Sequence, residues 1–230
     1  MVPRKSPKLD KAQVVEAALR LLNEVGLEGL SLRLIAKELD VQAPALYWHF
    51  KNKQDLLDEM ATEMMRRMAA DWAGMPSGGD EGADWHEAFR ARMRGLREHL
   101  LRYRDGAKVY SGTHFTDLSY AAPMEANLRM LTAAGFSSAG AARAWFTAYS
   151  YTIGYVIEEQ ATGGGGAEGA RGAGGGQGYD LDARAERLAG YPLAVEAGWE
   201  MFRDQGRGFD VGLEAVLVGI SVTLRGSGGS

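Results

Sequence analysis

The chain has 230 residues, 46% of them hydrophobic, a net charge of −4 and no cysteine. That composition supplies a buried core and excludes a wholly disordered chain. It also excludes disulfides, thiolate metal sites and a cysteine nucleophile, and it fits a reducing cytoplasm. The basic opening MVPRKSPKLDK leads into no apolar run and is not read as a signal peptide. No segment approaches the roughly 18 apolar residues of a membrane span. Charge is unevenly spread: residues 1–53 carry nine Lys/Arg against six Asp/Glu, +3, which leaves −7 on the remainder. A basic end on an acidic body orients a molecule toward phosphate.

Nearly every readable segment has helical period. Asp10 is placed to cap a first helix, with Val14, Ala17, Ala18, Leu21 and Leu22 on one face and Gly26 as its stop. Ser31 caps a second, in which Leu32, Ile35, Ala36 and Leu39 fall at i, i+3, i+4 and i+7. Pro44 fits the first turn of a short third helix, 43–49, with Gln42 as its cap and Val41 and Leu46 spaced as a hydrophobic staple. Asn52 caps a fourth helix running to about Trp72.

A Gly/Pro/Ser-rich loop follows over 74–82, and Asp84 with Glu87 has the pattern of a capping box starting a helix to about Tyr103. A short helix is expected near 107–111, another over about 119–135, and a strong one over 138–160 with Trp145, Tyr149, Ile153, Val156 and Ile157 in one stripe. Residues 163–178 hold ten glycines in sixteen positions and read as a flexible loop. Two last helices are expected, about 191–203 and 209–224. The final one is apolar almost all round, so it needs cover on more than one side. Its β-branched content also suits a strand, but no partner strand is visible.

The helices 32–39 and 43–49, joined by a turn at Asp40–Val41, have the geometry of a helix-turn-helix. Ala36 supplies the small residue where the second helix crosses the first, and Asp40 tolerates a left-handed backbone. Gln42, Ala43, Pro44, Ala45, Tyr47, Trp48 and His49 make the second helix too polar and aromatic for one that is wholly buried. Trp48 fits either a groove contact or the closure of a small core, and His49 either a structural or a phosphate-side role.

The run LDKAQVVEAALRLLNEVGLEGLSLRLIAKELDVQAPALYWHFKNKQDLLDEMATEM resembles the DNA-binding domain of the TetR family, most specifically in LYWHFKNKQDLLD. The likeness continues through LLRYRDGAKVYSGT (100–113), LRMLTAAGFS (128–137) and GYVIEEQ (154–160), and so extends to the C-terminal domain of the family's tetracycline-sensing branch. The resemblance implies a homodimeric cytoplasmic repressor that binds a palindromic operator and releases it when a small molecule fills the C-terminal domain. The implied fold is all-α, with a three-helix DNA-binding domain at 1–53 and an effector-binding and dimerisation domain at 54–230. Arg33 stands where that branch reads guanine, a sound bidentate contact. Tyr47 and Lys53 match phosphate contacts, and Pro44 and Trp48 match positions packing on thymine methyls or sugar–phosphate. Ala43 and Ala45 replace a glutamine and a threonine, so the half-site is expected to differ, with Gln42 sharing the reading.

In the body, the positions matching the tetracycline pocket are Ala69, Arg92, Leu96, Tyr110, Thr113, His114, Phe115, Asn127 and Glu158. The branch has histidine where Ala69 and Tyr110 stand, asparagine at Arg92, phenylalanine at Leu96 and arginine at His114. A phenol is a poor magnesium ligand. The expectation is therefore a related pocket for a different aromatic or polycyclic compound, bound without obligatory metal and with no cofactor. A true magnesium–tetracycline sensor is the alternative. Arg92 points to an acidic or carbonyl-rich molecule, or else is a surface or ion-paired residue. The aromatic density of this region suits a cavity, and it suits an ordinary core as well. Helices 138–160 and 209–224 are expected to pair with their two-fold mates, with Gly154, Gly212 and Gly219 easing the approach of the backbones and Ile220 in the interface. The chain has no nucleophile elbow, zinc-binding helix motif or phosphate loop, so an enzyme is not expected.

Overall fold

The computed structural model describes residues 9–72, 84–163 and 179–225. Among them are eleven helices and no strand: α1 (Lys11–Gly29), α2 (Leu32–Glu38), α3 (Ala43–Leu46), α4 (Lys53–Trp72), α5 (Trp85–Leu101), α6 (Gly106–Tyr110), α7 (Ala121–Ala133), α8 (Ser138–Ala161), α9 (Leu181–Arg187), α10 (Pro192–Phe202) and α11 (Gln205–Thr223). The chain is all-α as expected, and the β-branched final segment is the helix α11. Residues 1–8, the 74–82 loop and 164–178 of the glycine-rich stretch lie outside the described residues.

Local chemistry explains the starts and stops in the head. Asp10 accepts the Gln13 N–H at 2.7 Å, while the Gln13 side chain accepts the Asp10 N–H and closes a capping box. Gly26 breaks the helix at φ +72, but a further turn continues to Gly29, so α1 is kinked there and does not end there. Ser31 caps α2 through the Leu34 N–H. After α2, Asp40 takes φ +52; its N–H bonds to Lys37 O, and Val41 N bonds to Ala36 O. That pair is a Schellman stop, with aspartate where glycine is more usual. α3 is shorter than expected: it ends at Leu46, although Phe50 N still bonds to Leu46 O at 2.9 Å. Tyr47, Trp48 and His49 are poor helix formers and follow as turns. Ile35, Leu46 and Phe50 are buried at the centre of the head, and each stabilises it by about 1.5–3 kcal/mol.

The core of the head runs without a break into the body. Leu56, Met60, Met64, Met65 and Met68 of α4 belong to the same apolar cluster as Val14 and Leu22 on one side and Leu96, Leu100 and Val156 on the other. A second cluster joins α5, α7, α8 and α11 through Phe89, Met93, Leu131, Ala144, Phe209, Leu213 and Leu217. The α8–α11 pair is locked by two phenols: Tyr151 donates to Phe209 O and Tyr155 to Gln205 O, each at 2.9 Å. A Cβ at Gly212 would lie 2.2 Å from the Tyr151 hydroxyl oxygen. Gly212 therefore serves packing inside one chain. Gly154 and Gly219 meet nothing and lie open. Ile220, expected in a dimer interface, is 3% exposed and sits in this second cluster.

Three further elements depart from the sequence reading. Asp84 accepts from His86 N at 3.0 Å, and Glu87 pairs with Arg90, so the expected capping box is absent. α11 begins at Gln205 because Asp204 caps it through Arg207 N. α9 has no counterpart among the expected helices. It buries no residue and so has no apolar stripe to read. Asp180 caps it, and Arg184 donates to Ala194 O at 2.8 Å.

Candidate functional site

The head exposes several of the polar and aromatic residues expected to meet DNA. Arg33, early in α2, is exposed and forms no ion pair among the described residues. Gln42 caps α3 by backbone alone, which leaves its amide free of that duty; Pro44 is exposed at the second position of the helix, while Ala43, Ala45 and His49 are half-buried. Tyr47 is 55% exposed and Trp48 89%. The core-closing alternative for Trp48 is thus removed, because Phe50 does that work at 1% exposure. An indole left bare in water gives the head no stability. Lys53 is half-buried, and its ammonium donates to Leu27 O at 2.8 Å, tying the end of α1 to the start of α4. An ammonium has three donors, so this bond leaves capacity for a phosphate.

The body holds a cavity of about 240 Å³ walled by α4 (Met65, Met68, Trp72), α5 (Leu96), α6 (Tyr110), the segment from Phe115 to Asn127, and α8 (Trp145, Phe146, Tyr149). Aromatic packing shapes it: Phe115 stacks on Tyr120 at 5.4 Å and meets Tyr110 edge-on at 5.5 Å. Burial pushes the Tyr110 hydroxyl well above its ordinary value, and it donates to Met65 Sδ at 3.1 Å. Asn127 is 2% exposed and its amide nitrogen has no partner among the described residues. Unmatched buried amides are rare in native cores and call for an explanation; here the amide borders an apolar cavity.

Leu96, Tyr110, Phe115 and Asn127 line this cavity, whereas Ala69, Arg92, Thr113, His114 and Glu158 do not. Ala69 packs on the surrounding core. The Thr113 hydroxyl donates to Tyr110 O, and His114 is exposed with its N–H on Asp58. Glu158 is exposed on α8, in register with Arg143, Thr147, Ser150 and Gly154. Its neighbour Glu159 is the buried carboxylate, held by Arg97 at 2.8 and 2.5 Å. Arg92 is 6% exposed and stacks over the Trp72 ring at 5.2 Å, just behind the lining. Sequence reasoning missed Met65, Met68, Trp72, Tyr120, Pro123 and Met124 as lining residues. Of the remaining lining residues, the aromatic density of the region pointed only to Trp145, Phe146 and Tyr149.

A wider groove of about 910 Å³ lies on the head between α1, the α2–α3 turn and α4. Apart from Asp40, its charged walls are already paired, which suits it poorly to an apolar ligand. Glu59 takes bonds from Lys11, Arg66 and Thr116. Burial alone would raise the Glu59 carboxyl, but these donors outweigh it and hold the group below its ordinary value. Lys11 belongs to α1 and Thr116 to the segment that borders the cavity. One carboxylate of α4 therefore ties α1 to the segment that borders the cavity.

A helix-turn-helix head whose core continues through one long helix into a helical body with an aromatic cavity defines a ligand-responsive DNA-binding regulator. Residues 14–60 match the family described as bacterial regulatory proteins, tetR family, and residues 78–224 match the tetracyclin repressor-like C-terminal domain. The tetracycline repressor protein class A from transposon 1721 of Escherichia coli is 43% identical over 154 residues, 67% of this chain and 68% of that one. A possible TetR family regulator from Streptomyces coelicolor is 36% identical with a TM-score of 0.74, covering 93% of this chain and 99% of that one. A TetR variant from Acinetobacter baumannii in complex with minocycline is 33% identical with a TM-score of 0.69, covering 96% and 100%. The chain belongs to the TetR family of transcriptional regulators, which bind operator DNA as dimers and small molecules through their C-terminal domains.

Proposed function

We propose that this chain is a homodimeric repressor whose head, residues 1–53, binds a palindromic operator and whose body, residues 54–230, releases it on taking up an aromatic or polycyclic, antibiotic-like compound. The observation that carries the reading is the 240 Å³ aromatic cavity, walled in part by α4, the helix that also carries the head. A ligand that shifts α4 changes the separation of two heads reading half-sites at fixed spacing, and both lose their fit. Arg33 reads a guanine, Gln42 shares the base reading, and Tyr47, Trp48 and Lys53 hold the backbone. The chain acts by binding and not by catalysis.

Dimerisation runs through α8 and α11. Val211, Ala215, Val218 and Val222 form an exposed apolar stripe on α11 at helical spacing, and Gly219 opens the surface beside it. Exposed apolar rows of this kind mark association surfaces. Glu158, outside the cavity of its own chain, lies on the corresponding exposed row of α8.

The second reading is a magnesium–tetracycline sensor, favoured by the similarity to tetracycline repressors. The donors around the cavity do not fit a magnesium chelate: its lining has phenols, thioethers and one amide, and no carboxylate or histidine. The test is a gel shift on an operator obtained by in vitro selection, with a panel of multi-ring aromatic compounds added with and without EDTA. Release that survives EDTA supports the proposal. Release by magnesium–tetracycline at submicromolar concentration, abolished by EDTA, establishes the second reading instead.

A further inference from the structure

Arg92 is the one buried arginine among the described residues of the body, and it lacks the acidic partner that its neighbours have. Arg90 meets Glu214, Arg94 meets Asp210, Arg97 meets Glu159 and Arg66 meets Asp117. Arg92 is 6% exposed, yet among the described residues it has no hydrogen bond and no carboxylate partner. Its guanidinium instead rests on the Trp72 indole, 5.2 Å away. Burial lowers its proton affinity, with no opposing charge to restore it. A buried cation with no counter-ion among the described residues is costly to a fold, so its presence calls for a reason.

The position supplies one. Arg92 lies one helical turn before Leu96 on the same face of α5, and both Leu96 and Trp72 line the cavity. The other polar groups at the cavity are the unpaired Asn127 amide and phenols, and the lining holds no anion. This is a largely apolar chamber with one unpartnered amide donor and a positive charge behind one wall.

We propose that the effector is an anion, an aromatic carboxylate or an acidic enol of a fused-ring compound, and that Arg92 is its counter-ion and the residue that selects charge. The proposal rests on the reading of the cavity as the effector site. A planar guanidinium matches a carboxylate with two parallel bonds, while the rings of the ligand occupy the aromatic part of the chamber. The bound anion supplies a partner that the described residues do not.

The test uses the full-length protein and two matched probes, anthraquinone-2-carboxylate and its neutral carboxamide, titrated by calorimetry. The expected result is carboxylate binding about 10- to 100-fold tighter than the amide, the scale of a hydrogen bond to a charged partner. In Arg92→Met the preference disappears while the amide binds as before, and in Arg92→Lys much of it is kept. Equal binding of the two probes by the unaltered protein, or a preference that survives Arg92→Met, overturns the proposal and leaves the cavity reading intact. Failure of both probes to bind overturns the two together. The ligand-free protein gives an independent measurement: Arg92→Met raises the melting temperature by about 2–4 °C if the charge is uncompensated. A fall of that size assigns Arg92 to structural support and overturns the proposal.

Discussion

The carboxylate of Asp105, immediately before α6, accepts the backbone N–H of Leu27 at 3.0 Å. Leu27 follows the kink at Gly26, where α1 has lost its regular bonding, so Asp105 satisfies a donor the broken helix leaves behind. Asn23 strengthens the same junction by accepting from Arg104 N at 2.7 Å. α6 carries Tyr110 into the cavity, which places this junction between the ligand chamber and the head. Asp105→Ala is expected to cost about 1–3 kcal/mol, the value of a hydrogen bond to a charged group. Urea unfolding is the measurement, and a midpoint equal to that of the unaltered protein would refute the assignment.

Glu59 and Asp105 make stability depend on acid. For each, burial alone would raise the carboxyl, but hydrogen bonds prevail and hold it below its ordinary value, 4.5 for Glu59 and 3.8 for Asp105. A carboxyl depressed in the folded state contributes stability that is complete above its unfolded value and is lost as pH falls through the folded one. Stability is therefore expected to decline as pH drops below the range of these ordinary values. Glu59→Gln should lower stability at pH 7 and flatten the acid limb. Thermal melts from pH 7 to pH 3 on both proteins decide the matter, and identical slopes would exclude Glu59 as a source.

Arg33→Ala is expected to weaken operator binding by about 1–3 kcal/mol and relax the preference at one base pair. Its side chain has no ion pair among the described residues, so folding stability should be unchanged. Lys53→Ala behaves differently. It removes the bond to Leu27 O, so it should both lower stability by about 1 kcal/mol and weaken binding to all sequences alike. Competition gel shifts against single-base operator variants separate the two behaviours.

Trp48 offers a sharper contrast. At 89% exposure it contributes nothing to the core, and a surface change of this kind shifts stability by no more than about 0.5 kcal/mol. Trp48→Ala should leave the melting temperature in place and still reduce operator affinity. Unchanged affinity would remove Trp48 from the DNA-binding face.

For the dimer, Val218→Glu and Val222→Glu should each give a folded monomer that fails to bind the full operator, since both side chains are exposed on α11. Ile220→Glu is expected to unfold the body, because Ile220 is 3% exposed within one chain. Gly212→Ala should cost about 1–3 kcal/mol by overpacking against Tyr151, without a direct effect on association. Light scattering combined with circular dichroism checks all four. If Val218→Glu and Val222→Glu both remain dimeric, the interface lies elsewhere.

Much of the head is legible in the order of its residues. Capping residues and apolar period are local, so the roles of Asp10, Ser31 and Asp40 can be read directly. Trp48 cannot be settled in this way, because burial depends on what packs against a residue, and Phe50 two positions later is the better fit. The body is harder. Leu96, Tyr110, Phe115 and Asn127 are placed at the cavity by resemblance. Tyr120, Pro123 and Met124 join them only because the segment before α7 and the first turn of α7 close a cavity whose other walls come from α4, α5, α6 and α8. α9 leaves no signal because a helix that buries nothing has no stripe.

The amino-acid sequence by itself determined the all-helical class, the helix-turn-helix and the family, because each rests on the order and spacing of residues along the chain. Only the tertiary structure decided which charges are paired. Glu158 and Glu159 are adjacent in sequence, yet one faces outward while the other is buried against Arg97. Arg90, Arg92 and Arg94 alternate along α5, and the first and last meet acids of α11 while Arg92 meets none among the described residues. A helix turns each successive side chain by about 100°, at 3.6 residues per turn. What a charge meets is therefore set by the neighbouring helix, which the sequence of the charge's own helix does not contain.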